Sequence, residues 1–243
     1  MTSARIVLAA LLVAAASPVR AQTAPPERGY ITASADLLVA GTGFGDEIHP
    51  IEFGEPATID TSYRVGFAPG FAVGGGVRVW RRLAVGVEVG RVSHANDASV
   101  SAQVPHPLLF NTPRSVSGTA TGLDRAELAV HLLVSWVAPL STRWQLAVSG
   151  GPSWITVDQD LVTDVTVNQT YPYDTATFAG VVTQQASKGH IGVNAGVEAA
   201  YLATPHVGLA IGARYAHAHV PLTATAATDA GGAHVTAGLR LRF

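Results

Sequence analysis

Cysteine is absent from the 243 residues. That excludes a disulfide scaffold, a thiolate metal site and a lipid-anchored lipoprotein. Lysine is almost missing too, Lys188 being the only one. Charged residues make up 13% of the chain, against about 25% in soluble domains. No basic patch of the kind that nucleic acid requires is present, so nucleic acid is excluded as a partner. Beyond residue 21 no apolar run approaches the roughly 18 residues of a helical membrane span.

What is present starts with a three-part leader. Arg5 precedes an apolar run from Ile6 to Ala16, followed by Ser17-Pro18-Val19-Arg20-Ala21. This layout predicts a secretory signal peptide over 1–21. Removing it takes Arg5 and Arg20 from the fifteen basic residues, leaving thirteen against seventeen acidic ones and a formal charge of −4. The mature chain is apolar on average but never continuously so, and it holds 25 glycines. Alternating strands that cross a membrane have this composition.

The last thirteen residues show the alternation most plainly. Val235, Ala237, Leu239, Leu241 and Phe243 fall on one face, with His234, Thr236, Gly238, Arg240 and Arg242 on the other. A period of two is that of a β-strand with one apolar side. After a lead-in over 22–28, a first strand is predicted at Tyr30 to Val39, then a loop from Ala40 to about Asp60. A second strand lies within Thr61 to Trp80, broken or bulged at Ala68-Pro69-Gly70. A third runs from Leu83 to Gly90, and His94 to Thr121 reads as a long connection. The fourth covers Glu127 to Trp136, and the fifth starts at Trp144 and extends toward or past Asp160. Asn168 to Ser187 reads as a loop, the sixth strand as His190 to Tyr201, and the seventh as Val207 to Tyr215. Pro221 to Ala230 is the last loop before the closing strand.

Connections therefore alternate long and short along the chain. Eight strands joined this way carry all long loops at one end and all tight turns at the other. With its terminal Phe243, the chain resembles the small eight-stranded bacterial outer-membrane β-barrels, the OmpA/OmpX-like and OmpW-like group. The resemblance covers residues 29–243 and rests on architecture, not on a catalytic motif. It implies an all-β, eight-stranded antiparallel up-and-down transmembrane β-barrel in the outer membrane. It also implies lipid and lipopolysaccharide as surroundings, with Phe243 as a signal read by the barrel assembly machinery.

A soluble lipocalin-type barrel also alternates, but with its apolar face inward. Its outer face would then carry Lys, Glu, Gln and Thr. Here the second face is Gly, Ala and Ser with single charges, which suits a narrow lumen. Those charges come in both signs, Arg78, Arg214 and Arg240 against Glu88, Glu127 and Glu198. Isolated ions in a narrow interior are costly, so a salt-bridge network across the lumen is predicted. His131, His190 and Asn194 are expected to fill it with hydrogen bonds. Trp80, Trp136, Trp144, Tyr201 and Phe243 fall near the tight turns, and Trp154 and Tyr215 near the opposite strand ends, as two interfacial belts would.

Candidate chemistry is sparse. Ser93 and His94, or His217 and His219, sit where the outer rim of a hydrolase site would be, but no nucleophile elbow is present. His217-Ala218-His219 puts two imidazoles on one strand face, which can chelate a metal. No third ligand lies nearby in sequence, and a surface pair is the plainer reading. Gly74-Gly75-Gly76 lacks the strand-to-helix context of a phosphate loop. The loops carry acids (Asp46, Glu47, Glu52, Glu55, Asp60), an apolar Leu108-Leu109-Phe110 tip, and Tyr171, Tyr173 and Phe178. They can hold lipopolysaccharide-shared cations, bind a partner or hydrophobic ligand, or pack on each other. No enzyme, cofactor or metal is predicted. The expected role is structural, adhesive or protective, with a porin-like channel or transporter of small or hydrophobic molecules as the alternative. A lipid-modifying outer-membrane enzyme is the second alternative.

Overall fold

The computed structural model describes residues 28–243. The expected signal peptide and residues 22–27 of the lead-in lie outside the described residues. The described chain is all strand and turn: β1 (Gly29–Ala40), β2 (Phe44–Ile48), β3 (Ile51–Glu52), β4 (Glu55–Pro56), β5 (Thr58–Tyr63), β6 (Ala68–Trp80), β7 (Leu83–Val104), β8 (Arg114–Pro139), β9 (Trp144–Gln169), β10 (Ala176–Leu202), β11 (Val207–Pro221) and β12 (Ala227–Arg242). Eight of them close a ring in the order β1-β6-β7-β8-β9-β10-β11-β12, every pairing antiparallel. Closure comes at β1 and β12. Tyr30 pairs Arg242, and the Phe243 and Gly29 backbones exchange hydrogen bonds at 2.9 and 3.0 Å. The Phe243 ring covers Gly29, where an added Cβ would come within 2.7 Å of it.

Lower on the ring the apolar side chains point outward. Ile31, Val73, Val77, Val87, Leu132, Val148, Val197, Ile211 and Leu239 are all at least 44% exposed. In water this girdle would be an aggregation surface; facing hydrocarbon it needs no cover. Trp80, Trp136, Trp144 and Phe243 stand at its turn end and Trp154 and Tyr215 at the other, all exposed. Arg82 reaches over the Trp136 ring at 5.7 Å, and Trp144 tilts against Tyr201 at 5.1 Å. Amphipathic rings flanked by charge suit a headgroup layer.

Halfway up β7 the polarity inverts. Val85, Val87 and Val89 face out with small or charged residues inside. From Arg91 onward Arg91, Ser93, Asp97, Ser99, Ser101 and Gln103 face out, while Val92, Ala98, Val100, Ala102 and Val104 are buried. β8, β9 and β11 invert at the same level. The inner faces above it form one apolar core, joining Ile59, Val100, Val116, Ile155, Val157, Leu161 and Val220 among others. Each fully buried Val, Leu or Ile contributes about 1.5–3 kcal/mol, so this part holds together without lipid. Along β7 it extends about 43 Å of strand past Arg91, or roughly 30 Å of height once tilt is allowed for.

Several connections predicted as loops belong to this projecting part. Residues 40–60 contain the β2–β5 arm, which joins the sheet where Thr61 pairs Val100. Most of 94–121 continues β7 and β8, leaving only 105–113 as loop. Likewise 176–187 is β10, and 222–226 is all that connects β11 to β12. Pro69 sits inside β6 opposite Leu37, and the break falls at 64–67 instead. Pro69 is tolerated because pairing of β6 with β7 starts one residue later, at Gly70.

Candidate functional site: a plugged lumen under a projecting sheet

Small residues on the inner rows leave space for a few long side chains, and these pair. Near the tight turns, Arg240 Nη2 lies 2.7 Å from Glu198 Oε1. Its Nε is 3.4 Å from Thr32 Oγ1, and its guanidinium stacks 3.9 Å from the centre of the Tyr30 ring. At mid-height Arg214 grips Glu88 with both terminal nitrogens, Nη2 to Oε2 at 3.0 Å. Gly74 makes room for that acid, because a Cβ there would sit 2.9 Å from Glu88 Cβ. Alongside, His234 Nδ1 is 3.1 Å from Asp36 Oδ2. At the level of the inversion, Arg125 donates to Glu127 Oε1 from Nε at 3.0 Å and Nη2 at 2.7 Å. Its Nη1 reaches Gln159 and Thr228, and Glu127 Oε2 accepts the Gly231 N–H at 2.8 Å.

Of the six charges singled out in sequence, Glu88 meets Arg214 and Glu198 meets Arg240. Glu127 meets Arg125, which the reading omitted because it started the fourth strand at Glu127. One base and one acid spaced by two on one strand face, Arg125 and Glu127, were the available signal. Arg78 is half-buried on the inward row at the turn end, its backbone N–H bonded to Arg28 O at 3.0 Å. His131 Nδ1 lies 2.7 Å from Ser153 Oγ, and Asn194 donates to Gly151 O, Pro152 O and Ser153 Oγ. His190 does not fill the lumen: it is exposed on β10, above the last β10–β11 pair.

Among the described residues, polar cavities of about 40 and about 20 Å³ lie inside. Glu88, Arg214 and Thr236 line both, so the mid-height ion pair stands between them. Each space suits one to three waters. Above Arg125 the apolar core takes over.

Outside the membrane, Tyr63 stacks on Phe44 at 4.5 Å, and its hydroxyl accepts the Val162 N–H at 2.8 Å. Burial pushes the Tyr63 hydroxyl up to about 12. Glu52, on the small β3–β4 hairpin, is raised first by burial, then by a hydrogen bond to the Asp164 carboxyl and its charge, with Arg114 opposing. Leu108, Leu109 and Phe110 project, as does Tyr171, while Phe178 turns inward onto the core beside Gly118. Ser93 and His94 lie on opposite faces of β7, so they form no nucleophile–base pair.

A closed ring of eight antiparallel strands, apolar outside and polar inside, with tight turns at one end and a long projection at the other, is a transmembrane β-barrel of the bacterial outer membrane. No protein-family model matches the sequence, and no curated protein does. Solved structures are similar in fold. Neisserial surface protein A matches at 16% identity over 88% of this chain and 97% of its own, with a TM-score of 0.48. The outer membrane protein OprG from Pseudomonas aeruginosa matches at 11% over 89% and 96%, with 0.49. The outer membrane protease OmpT from Escherichia coli matches at 10% over 88% and 97%, with 0.45.

Proposed function

We propose that this barrel is an adhesive surface protein that works through its projecting sheet, the lumen serving as a rigid plug. The observation that carries this reading is the edge of β10. Residues 176–192 pair with β9 on one side, but β11 joins β10 only from Val193 downward. Above that level β11 parts from β10, and its Ala218 and Val220 join the apolar core that also holds Ile155 and Val157 of β9. The upper part of β10 thus offers a row of backbone donors and acceptors outside the membrane, where an extended segment of a partner can add as a strand. Away from this edge, an open cleft of about 860 Å³ is lined by Glu47, Asp60, Ser101 and Thr119 on β2, β5, β7 and β8.

Proline at Gln184 and, separately, at Gln185 tests this. Adjacent strand residues point their N–H groups to opposite sides, so one of the two substitutions blocks the free edge without unpairing β9. Cells displaying the native barrel should be retained on a surface coated with extracellular protein. One proline variant should fold, by heat-modifiable gel mobility, yet lose retention. Retention unchanged in both folded variants refutes the role of the edge. Steady ion-selective openings of the native barrel in a planar bilayer would favour the channel reading instead.

A further inference from the structure

β11 carries His217 and His219 on its outward face, with buried Ala218 between them. A strand advances about 3.3 Å per residue, so their Cα atoms stand roughly 6.6 Å apart with side chains on the same side. Both imidazoles can reach one ion across that spacing. The register sets His219 opposite Asp229 on β12, and His217 opposite Gly231, which has no side chain to crowd it. Asp229 Oδ1 lies 3.0 Å from His219 Nδ1. A carboxylate in that position keeps the ring proton on Nδ1 and leaves the Nε2 lone pair free for a ligand. The side chains of His219 and Asp229 are 68% and 40% exposed. Tyr215, two residues below, is the last apolar residue of the girdle on β11, so the pair stands just outside the membrane.

We propose that His217 and His219, with Asp229 positioning His219, form a site for a divalent transition-metal ion on the outer surface of the barrel. Imidazole nitrogen selects Ni²⁺, Cu²⁺ and Zn²⁺ over Mg²⁺ and Ca²⁺, and Cu²⁺ is held most tightly by such a set. Among the described residues no group of three His, Asp or Glu side chains is placed to hold an ion together. The ion therefore takes two protein ligands and keeps water in its remaining positions. Such a site is open: it exchanges with the medium and accepts a further ligand from outside. Binding competes with protonation of the two rings, so it weakens on acidification.

Calorimetric titration of the refolded full barrel, without a polyhistidine tag and in chelator-free detergent, tests the assignment. One Cu²⁺ should bind per chain, more tightly than Zn²⁺, with Mg²⁺ and Ca²⁺ in excess failing to compete. His217→Ala and His219→Ala should each lose binding at concentrations that saturate the native protein. Asp229→Ala should keep both ligands but weaken binding about tenfold or more. His206→Ala, at the opposite end of the barrel, should bind as the native does. Gel mobility checks that every variant folds, and all these groups are exposed, so folding should survive. Native-like Cu²⁺ binding in the folded His217→Ala/His219→Ala double variant, or none in the native barrel, overturns the site. Native affinity in Asp229→Ala removes the positioning role of the carboxylate.

Discussion

Replacing Glu127 by alanine isolates the ion pair at the top of the lumen. The Arg125 side chain is 1% exposed and that of Glu127 5%, so neither charge can turn to water when its partner goes. Removing one partner of a buried pair costs about 3–5 kcal/mol, because the other charge stays behind. The Gly231 N–H also loses its acceptor, which by itself costs about 1–3 kcal/mol. Arg125 keeps Gln159 and Thr228, and effects within one network do not add. The expected loss is therefore about 4 kcal/mol. Glu198→Ala serves as the comparison. Glu198 is 26% exposed, and Arg240 keeps Tyr30 and Thr32, so about 1–2 kcal/mol is expected there. Urea unfolding of the barrel in lipid vesicles, followed by tryptophan emission, measures both. An Arg125→Met/Glu127→Leu double variant should recover part of that loss, since neither charge is then stranded, but not all of it, because the Gly231 N–H still lacks its acceptor. A Glu127→Ala barrel within about 1 kcal/mol of native would refute the reasoning, as would a double variant no better than the single.

Three further outcomes follow from the same geometry. Tyr63→Phe keeps the stack on Phe44 but orphans the Val162 N–H, costing about 1–3 kcal/mol by the same unfolding assay. A raised Glu52 pKa means that the folded hairpin binds a proton the unfolded one does not, so its stability falls as pH rises above the ordinary carboxylate range. Protection of the 51–55 and 57 amides, after correction for the intrinsic pH dependence of exchange, should accordingly be greater at pH 5 than at pH 7, and Glu52→Gln should flatten the difference. Arg214→Ala/Glu88→Ala joins the two lumen cavities; brief openings in a planar bilayer are expected where the native barrel is silent, and equal silence would place the seal in the apolar core above.

The ring and its girdle were legible in sequence because strands that face lipid on one side and a narrow lumen on the other alternate apolar with small residues, as Leu83 to Gly90 do. Opposite signs on the small-residue rows led to the expectation of ion pairs across the lumen, but not to which acid meets which arginine, as Glu88 meets Arg214. The projecting sheet was not legible by the same rule. Val92, Ala98, Val100, Ala102 and Val104 also alternate, but on the other parity, and a search for one continuous outward stripe stops at Gly90. Prolines at 105, 107 and 113 then drew the loop too wide. Arg125 was missed because the fourth strand was expected to start two residues later, at Glu127, whereas the partnership of Asp36 with His234 depends on which strands become neighbours. Asp229 beside His219 is such a case as well: ten residues apart in sequence, they are directly opposite once the β11–β12 hairpin closes.

If the change of parity at Arg91 marks the membrane surface, the outward residues of β7 must change solvent there. The chain lacks cysteine, so single cysteines at Val87, Val89, Arg91, Ser93 and Ser99 can be labelled without background. All five positions are outward-facing and exposed, and Val87 and Val89 are 44% and 41% exposed, so access to the label is not limited by the protein. In vesicles, a fluorophore at Val87 or Val89 should be quenched by lipid-borne quenchers and shielded from a water-soluble one. Ser99 lies about 27 Å of strand beyond Arg91, more than two screening lengths from the surface at physiological salt, and should report bulk water. Arg91 and Ser93 should fall between. A label at Ser99 shielded like one at Val89 would put the apolar core inside the bilayer. The upper β10 edge would then be lipid-embedded, a place where unpaired backbone groups cost several kcal/mol each, and the adhesive reading would fail with it.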